Sequence, residues 1–225
     1  MVLEVRGLDV RRGTFTLSVP TLDIAPGTVV GLCGRNGAGK STLLECLAGL
    51  LPAAGEIRIL GMHPIRDLVA LRRRTAWMSD DMPLFPVSLR EHARLLARFY
   101  PRWDMPHFDR VVERLQLDPG KRVTDLSKGE GTRARLALCL GHHPEVLLLD
   151  EPATGLDVPA RRALLAELLE LMQDENRVIL LSSHQVEDVA RICDRVLVID
   201  GGRIVRDGTL DEVTGGTRTL AEVLA

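Results

Sequence analysis

The chain has 225 residues, of which 45% are apolar, so it is long enough for one globular domain with a sizeable core. Its formal net charge of −2 gives no support for a general nucleic-acid-binding surface. No apolar run approaches the roughly 18 residues that a membrane-spanning helix requires, and the first residues lack a signal-peptide pattern. We therefore expect a soluble chain that reaches a membrane only through a partner. The four cysteines are widely spaced, without a CxxC pair, and are expected to be free thiols in a reducing cytosol.

The apolar pattern predicts an α/β fold. The first 25 residues alternate and are rich in turns, which is typical of antiparallel strands. Four later runs are apolar at every position, as in strands buried on both faces of a parallel sheet. These runs are Val29–Cys33, Val146–Leu149, Val178–Leu181 and Val196–Ile199. Helical patterns lie between the runs, so we expect a mostly parallel sheet core with an N-terminal antiparallel β subdomain.

Residues 34–42 form a phosphate-binding loop (P-loop) of the pattern G-x-x-x-x-G-K-[ST]. An apolar strand precedes the loop and a helical pattern follows it, which makes a chance glycine-rich turn a poor alternative. The predicted nucleotide-binding residues are Gly34, Arg35, Asn36, Gly37, Ala38, Gly39, Lys40, Ser41 and Thr42. Lys40 can reach the β- and γ-phosphates, and the Ser41 hydroxyl can bind Mg²⁺. The sequence therefore predicts P-loop binding of a nucleoside triphosphate.

Residues from about 84 to 140 are predicted to be a helical insert. Ser88–Glu91 is a capping-box pattern, and the helix that it opens should end before Pro101. Asp104 is expected to cap a second helix. Ser127–Glu130 is another capping box, opening a third helix that should end near Gly141.

Two more buried strands end in polar side chains. Asp150 and Glu151 follow one of them, at the edge where parallel strands face a ligand crevice. Asp150 is predicted to hold Mg²⁺, and Glu151 to orient or deprotonate an attacking water. His184 ends the next strand and is predicted to contact the γ-phosphate. The alternatives, a solvated acidic turn and a structural histidine, are weaker beside a P-loop. The remaining histidines, at positions 63, 92, 107, 142 and 143, are expected to be surface residues.

The segment Leu126–Glu130 combines a helix N-terminus, a serine hydroxyl and a glycine-exposed backbone. Such a helix start is either an ordinary cap or a second anion site. One protein does not need two γ-phosphate sites for one nucleotide, whereas two copies facing each other do.

In chain order, the P-loop, Leu126–Glu130, Asp150-Glu151, Thr154–Asp157 and Ser182–His184 resemble the ATP-binding cassette (ABC) ATPases. The resemblance covers essentially the whole chain. It implies one ABC ATPase domain over 1–225, with a helical subdomain at about 84–140. It also implies a head-to-tail dimer, of two identical or two different cassette subunits, with two ATP molecules between them. Ser127, Gly129 and Glu130 would then face the partner's γ-phosphate, Asp157 would lie at the dimer seam, and His184 would be the switch histidine.

The chain departs from the family's usual pattern at three places. The signature Leu-Ser-Gly-Gly-Gln here has Lys128 and Glu130, and the lysine would either favour the trans γ-phosphate or point to solvent. Asp80 aligns with a glutamine that usually binds Mg²⁺ and contacts the transport partner, with Asp81 as the alternative. Arg12 occupies the position of the adenine-stacking aromatic. A guanidinium can stack on a base, and Phe15 is the alternative.

Aromatic residues cluster in one part of the chain. Six of the seven are Trp77, Phe85, Phe99, Tyr100, Trp103 and Phe108. One interpretation is the core of the helical subdomain, which suits Phe108. The other, which we favour, is a groove for a protein partner, because aromatics are enriched at interface hot spots. The resemblance places the coupling helix of a transmembrane permease here, and the segment 99–104 resembles bacterial efflux-type systems with a separate permease chain.

The resemblance thus implies an ATP-binding and ATP-hydrolysing transporter subunit, peripheral on the cytoplasmic face of the cell membrane through its permease. One alternative is a soluble ABC-type ATPase acting on DNA or the ribosome. The single cassette and the absence of heptads between P-loop and signature weigh against it, and no nucleic-acid partner is expected. Another alternative, a weakly hydrolysing nucleotide sensor, is supported only by Arg12, Asp80 and Lys128.

Overall fold

The structure is a computed structural model that describes residues 1–216 and 219–224. These residues contain nine strands, which form one sheet, and nine α-helices. The strands are β1 (Leu3–Arg12), β2 (Phe15–Ile24), β3 (Thr28–Cys33), β4 (Ala54–Ile59), β5 (Thr75–Met78), β6 (Val146–Leu149), β7 (Val178–Ser182), β8 (Arg195–Asp200) and β9 (Arg203–Gly208). The helices are α1 (Lys40–Leu47), α2 (Leu68–Arg72), α3 (Leu89–Leu96), α4 (Met105–Arg114), α5 (Lys128–Leu140), α6 (Val158–Leu171), α7 (Val186–Ile192), α8 (Leu210–Thr214) and α9 (Leu220–Leu224).

The sheet has the order β4-β1-β2-β9-β8-β3-β7-β6-β5. Strands β8, β3, β7, β6 and β5 pair in parallel, and β1 pairs antiparallel with β2 and with β4. The predicted parallel core and antiparallel N-terminal part are therefore confirmed. The edge strand β4 comes from beyond the P-loop helix and was not among the predicted strands.

Burial on both faces explains why the central strands are apolar throughout. Along β6, Leu147 and Leu149 pack in one hydrophobic cluster with residues of α4, α5 and α6. Val146 and Leu148 pack in a second cluster with α1 and the antiparallel strands. Because the carboxyl ends of β3, β6 and β7 lie side by side, the loops that follow them meet at one edge of the sheet.

The helices of the insert begin where their capping residues predict. Ser88 and Ser127 form capping boxes with the glutamates three residues later, and Asp104 accepts a hydrogen bond from the His107 backbone N–H. Helix α3 ends at Leu96, well before Pro101, and α5 ends at Leu140. These local signals act through backbone groups close in sequence, which is why the sequence reveals them.

The expectation that the remaining histidines lie on the surface is wrong for His92 and His142, which are both buried. The His92 ring packs against Phe85, with ring centroids 5.1 Å apart. The His142 ring lies 4.3 Å from the Tyr100 ring, and its Nε2 is 3.2 Å from the Thr75 carbonyl oxygen. Burial lowers the pKa of His142 to about 4, which favours the neutral form. All four cysteines are free, as predicted, and burial raises the pKa of the Cys139 thiol to about 12.

Candidate nucleotide-binding and catalytic site

The P-loop connects the end of β3 to the start of α1 and needs glycine at both positions that the motif specifies. A Cβ at Gly34 would collide with the carbonyl oxygen of Ile199. Gly39 has φ +116°, in the left-handed region that side chains disfavour, and a Cβ there would lie 2.9 Å from the Phe15 ring. The loop is thus held tightly between α1 and two neighbouring strands.

Lys40 folds its side chain back over this loop. Its Nζ donates hydrogen bonds to the carbonyl oxygens of Gly34 at 2.8 Å and of Arg35 at 3.3 Å. The ammonium is buried and lies 4.0 Å from the Glu151 carboxylate. The loop therefore holds one positive charge at its centre, beside the first α1 residues, where the sequence predicts phosphates.

Glu151 is the centre of the predicted catalytic group. His184 Nδ1 lies 2.6 Å from its Oε2, and the Thr154 hydroxyl donates to the same oxygen at 3.2 Å. The backbone of Glu151 has φ +50°, a left-handed conformation that is uncommon for residues other than glycine. Leu60, Gln116 and His143 share this conformation outside the site, so it is the contacts of the carboxylate that support the predicted role of Glu151.

Ser182 joins Asp150 and Glu151, and the sequence interpretation did not assign it a role. Its buried hydroxyl donates to Asp150 Oδ1 at 2.6 Å and accepts from the Glu151 backbone N–H at 2.8 Å. The strand register explains the contact, because Leu149 pairs with Leu181 across β6 and β7. The sequence shows a hydroxyl at the end of β7, but the residues that it contacts depend on which strand lies beside β7.

The signature segment forms the start of α5. Glu130 Oε2 accepts from the Ser127 backbone N–H at 2.7 Å, and Ser127 Oγ accepts from the Glu130 backbone N–H at 3.2 Å. Lys121 Nζ lies 2.9 Å from both oxygens of Glu130. The Lys121 hydrogen bond, followed by those of Ser127, lowers the pKa of Glu130 to about 2. Ser127 remains exposed, and Gly129 follows it in the first turn of α5.

Three further predicted residues have contacts that the sequence did not indicate. Asp157 is exposed and caps α6, accepting from the Ala160 N–H at 2.8 Å. Arg12 Nη1 lies 2.9 Å from Glu45 in α1. Asp80 Oδ2 lies 3.5 Å from Lys128 Nζ. Among residues 1–216 and 219–224, no three or more His, Cys, Asp or Glu side chains converge as a protein-only metal cage.

The family model described as ABC transporter matches residues 17–154, which is more than half of the chain. The chain belongs to the ABC transporter family. The resemblance seen in the sequence is confirmed, and the chain is an ATP-binding cassette, the ATPase domain of that family.

Curated relatives are ATP-binding proteins of transport systems. One is the thiamine import ATP-binding protein ThiQ of Jannaschia sp. (strain CCS1), which is 36% identical over 94% of each chain. Another is the daunorubicin resistance ATP-binding protein DrrA3 of Streptomyces coeruleorubidus, 37% identical over 88% of this chain and 65% of its own. The chain spans only 54% to 65% of the length of several curated relatives that it matches.

Among solved structures, an ATP-binding subunit of an ABC transporter superposes with a TM-score of 0.89. It is 28% identical, and the match covers 99% of this chain and 98% of that one. The α/β P-loop fold with its antiparallel strands is therefore confirmed. In the described part of this chain, no helix has both the length and the apolar character to cross a membrane.

Proposed function

We propose that this chain binds and hydrolyses ATP as the energy-supplying subunit of an ABC transporter. The observation that carries the proposal is the position of the Glu151 carboxylate. It lies within 4.0 Å of Lys40 and 2.6 Å of His184, at the mouth of the P-loop. A carboxylate beside a phosphate cradle can position a water molecule for attack on the γ-phosphate.

The residues present fit a magnesium–ATP complex. Mg²⁺ prefers oxygen ligands and is commonly held by one or two carboxylates together with substrate phosphates. Ser41 and Asp150 would hold the ion. The Ser182 hydrogen bond fixes one Asp150 oxygen and leaves the other available to the ion. Asp80, the third predicted ligand, has its carboxylate 3.5 Å from Lys128 Nζ, and we do not assign it to the ion. The ion would neutralise charge on the β- and γ-phosphate oxygens.

In the reaction that we propose, water displaces ADP from the γ-phosphorus. Lys40 and the backbone N–H groups of the P-loop stabilise the charge on the phosphate oxygens. Glu151 orients the water and accepts its proton. In its doubly protonated form, His184 would donate from Nδ1 to Glu151, which holds the carboxylate in place, and from Nε2 to a γ-phosphate oxygen.

A second ATPase subunit would complete each site. Ser127 and Asp157 are both exposed, and their hydrogen bonds are to backbone N–H groups of their own helices. Because it is exposed, the Ser127 hydroxyl would turn to donate to a γ-phosphate oxygen held by a partner. The partner is another copy of this chain or a different cassette, and ATP lies between the two subunits. For the base, we propose stacking on Arg12, which Glu45 holds in place.

The permease partner would bind in a groove of about 340 Å³ between the end of β5 and the helical subdomain. Its lining includes Trp77, Met82, Tyr100, Leu138 and His142. Phe108 and Trp103 instead pack in the core of the subdomain. Some aromatic residues therefore belong to the core, and others, Trp77 and Tyr100, line the groove. The residues that line the groove would contact an apolar side chain from a cytoplasmic helix of the permease. Binding there would hold the chain on the inner face of the membrane.

The catalytic proposal is tested by replacing Glu151 with glutamine. The variant should bind ATP with near-normal affinity, because the P-loop contacts remain, and should lose at least about 100-fold in turnover. It should also accumulate as an ATP-bound dimer, which sedimentation measures. Glu170→Gln, on the exposed face of α6, is the matched control and should hydrolyse ATP normally. Near-normal hydrolysis by Glu151→Gln would remove Glu151 from the mechanism.

The transport proposal is tested by purifying the tagged chain from its native membranes in mild detergent. We expect a polytopic membrane protein to accompany the wild type and to be lost with Tyr100→Asp. Phe99→Asp is the control, because Phe99 is the exposed neighbour of Tyr100 and does not line the groove. Recovery with ribosomes or DNA-bound proteins alone would favour a soluble ABC-type ATPase instead.

A further inference from the structure

Two of the positions at which this chain departs from its family's usual pattern contact each other. Lys128 occupies the place of a signature glycine, and Asp80 the place of a glutamine after β5. They are 48 residues apart in the sequence (128 − 80), yet Lys128 Nζ lies 3.5 Å from Asp80 Oδ2. A glycine and a glutamine at these positions would form no such ion pair.

The stem of Lys128 makes a second contact, with the turn that leads to Asp157. A Cβ built on Gly155 would lie 3.3 Å from Lys128 Cδ and 3.2 Å from its Cε, so the aliphatic chain covers this glycine. A Cβ on Gly129 would lie 3.4 Å from Leu156 Cδ2, which places the start of α5 against the same turn. Lys128 thus bridges the segment after β5 and the segment 154–157.

The segment after β5 is tied to α5 at one more point. Arg135 Nε, two turns further along α5, donates to the Met82 carbonyl oxygen at 2.8 Å. The two contacts fix residues 80–82 against one side of the helix that carries Ser127. The segment also neighbours Asp150, because the Asp150 N–H donates to the carbonyl oxygen of Met78 at the end of β5.

We propose that Lys128 and Asp80 form a positioning pair. The pair sets the start of α5 relative to the sheet edge that carries the P-loop, Asp150 and Glu151 in the same subunit (the nucleotide edge). This inference rests on the proposed ATPase function, in which Ser127 must meet the nucleotide of a partner subunit. The pair fixes the orientation of the signature without contacting the chain's own P-loop. On this view the two departures from the family pattern compensate each other, and each is useful only in the presence of the other.

The expected effect is modest because both side chains are solvated. The Lys128 and Asp80 side chains are 66% and 41% exposed. Exposed ion pairs contribute little, so breaking this one should change hydrolysis by roughly two- to fivefold. The change should fall on kcat, with the ATP affinity of the single subunit unchanged, because the pair does not touch the P-loop.

A double-mutant cycle tests the proposal. Lys128→Met keeps the stem over Gly155 and removes the charge, and Asp80→Asn keeps the shape of Asp80. Each should lower kcat by about the same factor, and the double variant should be no worse than either single one. Lys128→Arg should retain activity, and exchange of the two residues (K128D/D80K) should recover part of it. Arg90→Met is the control, because Arg90 and Asp109 form another partly exposed ion pair, within the helical subdomain.

A second readout does not depend on ATP hydrolysis. In the nucleotide-free protein, amide hydrogen exchange of residues 79–84 should rise by a similar factor in Lys128→Met and in Asp80→Asn, but not in Arg90→Met. Independent, additive effects of the two substitutions would overturn the proposal. So would a loss of Mg²⁺ affinity in Asp80→Asn with no change in Lys128→Met, since Asp80 would then be a metal ligand. A wild type that does not hydrolyse ATP would instead contradict the proposed function and leave the exchange result to decide on the pair.

Discussion

The nucleotide edge of the sheet and the helical subdomain differ in how their residues are held. At the nucleotide edge, the P-loop and the acids after β6 are fixed by backbone geometry at the ends of neighbouring parallel strands. In the helical subdomain, side-chain ion pairs such as Lys128–Asp80 and Arg114–Glu167 cross to the core. Under the proposed function, we expect substitutions in the first region to have large effects on ATP binding, and those in the second to have smaller effects on orientation and stability.

The largest effect is expected from Lys40→Ala, which removes the charge at the centre of the nucleotide edge. Hydrogen bonds to charged groups contribute about 1.5–3 kcal/mol each, so the loss of phosphate contacts should weaken ATP binding by roughly 100-fold. Calorimetric titration with ATP measures the change. Arg58→Ala, on the exposed strand β4, is the control and should bind normally. An unchanged affinity in Lys40→Ala would contradict the assignment of the P-loop.

Arg114→Ala should affect the other region, through stability and not through ATP affinity. Arg114 Nε and Nη2 each lie 2.7 Å from an oxygen of Glu167 in α6, whose side chain is only 1% exposed. The variant leaves this carboxylate buried without its partner. Because Arg114 itself is partly exposed, we expect a loss of about 2 kcal/mol in the free energy of unfolding, below the range for fully buried pairs.

Urea denaturation measures this loss, and Arg90→Ala is the comparison. It breaks the solvated Arg90–Asp109 pair and should lose less than about 1 kcal/mol. Equal losses in the two variants would show that the Arg114–Glu167 pair stabilises the protein no more than a surface pair does.

The smallest effect is expected from His142, on the wall of the groove between the two regions. Its folded-state pKa of about 4 lies below the ordinary value of 6.5, so the unfolded chain binds a proton more readily than the folded one. Stability contributed by the neutral ring is present above pH 6.5 and is lost as the pH falls towards 4. Near pH 5 the loss is on the order of 1–2 kcal/mol.

His142→Phe should therefore unfold at a urea concentration that changes less between pH 7 and pH 5 than in the wild type. At pH 7 the variant loses the contact with the Thr75 carbonyl oxygen and should be slightly less stable. His107, whose pKa burial also lowers to about 4, remains in both proteins, so only the difference between them reports on His142. Parallel pH profiles would contradict a buried neutral His142.

The sequence predicted what depends on neighbours along the chain and missed what depends on tertiary contacts. The P-loop and the capping boxes of Ser88 and Ser127 are encoded within a few residues, because backbone donors and acceptors there have few alternatives. The Ser182 hydroxyl contacts Asp150 because β6 pairs with β7, and this pairing could not be predicted from neighbouring residues alone. The prediction was wrong for His92 and His142 because the residue type alone does not indicate burial. Both rings are covered by aromatic side chains, whose positions depend on the tertiary structure.

The hydrogen bonds from Lys40 to two carbonyl oxygens have a consequence for the affinity of the loop for a nucleotide. The ammonium joins Gly34 and Arg35 to α1, so these hydrogen bonds fix the curvature of the loop within the folded chain. The conformational entropy of closing this loop is therefore lost when the protein folds and not when ATP binds. Under the proposed function, a triphosphate would meet a preorganised loop, and its interaction energy would remain available for drawing two subunits together.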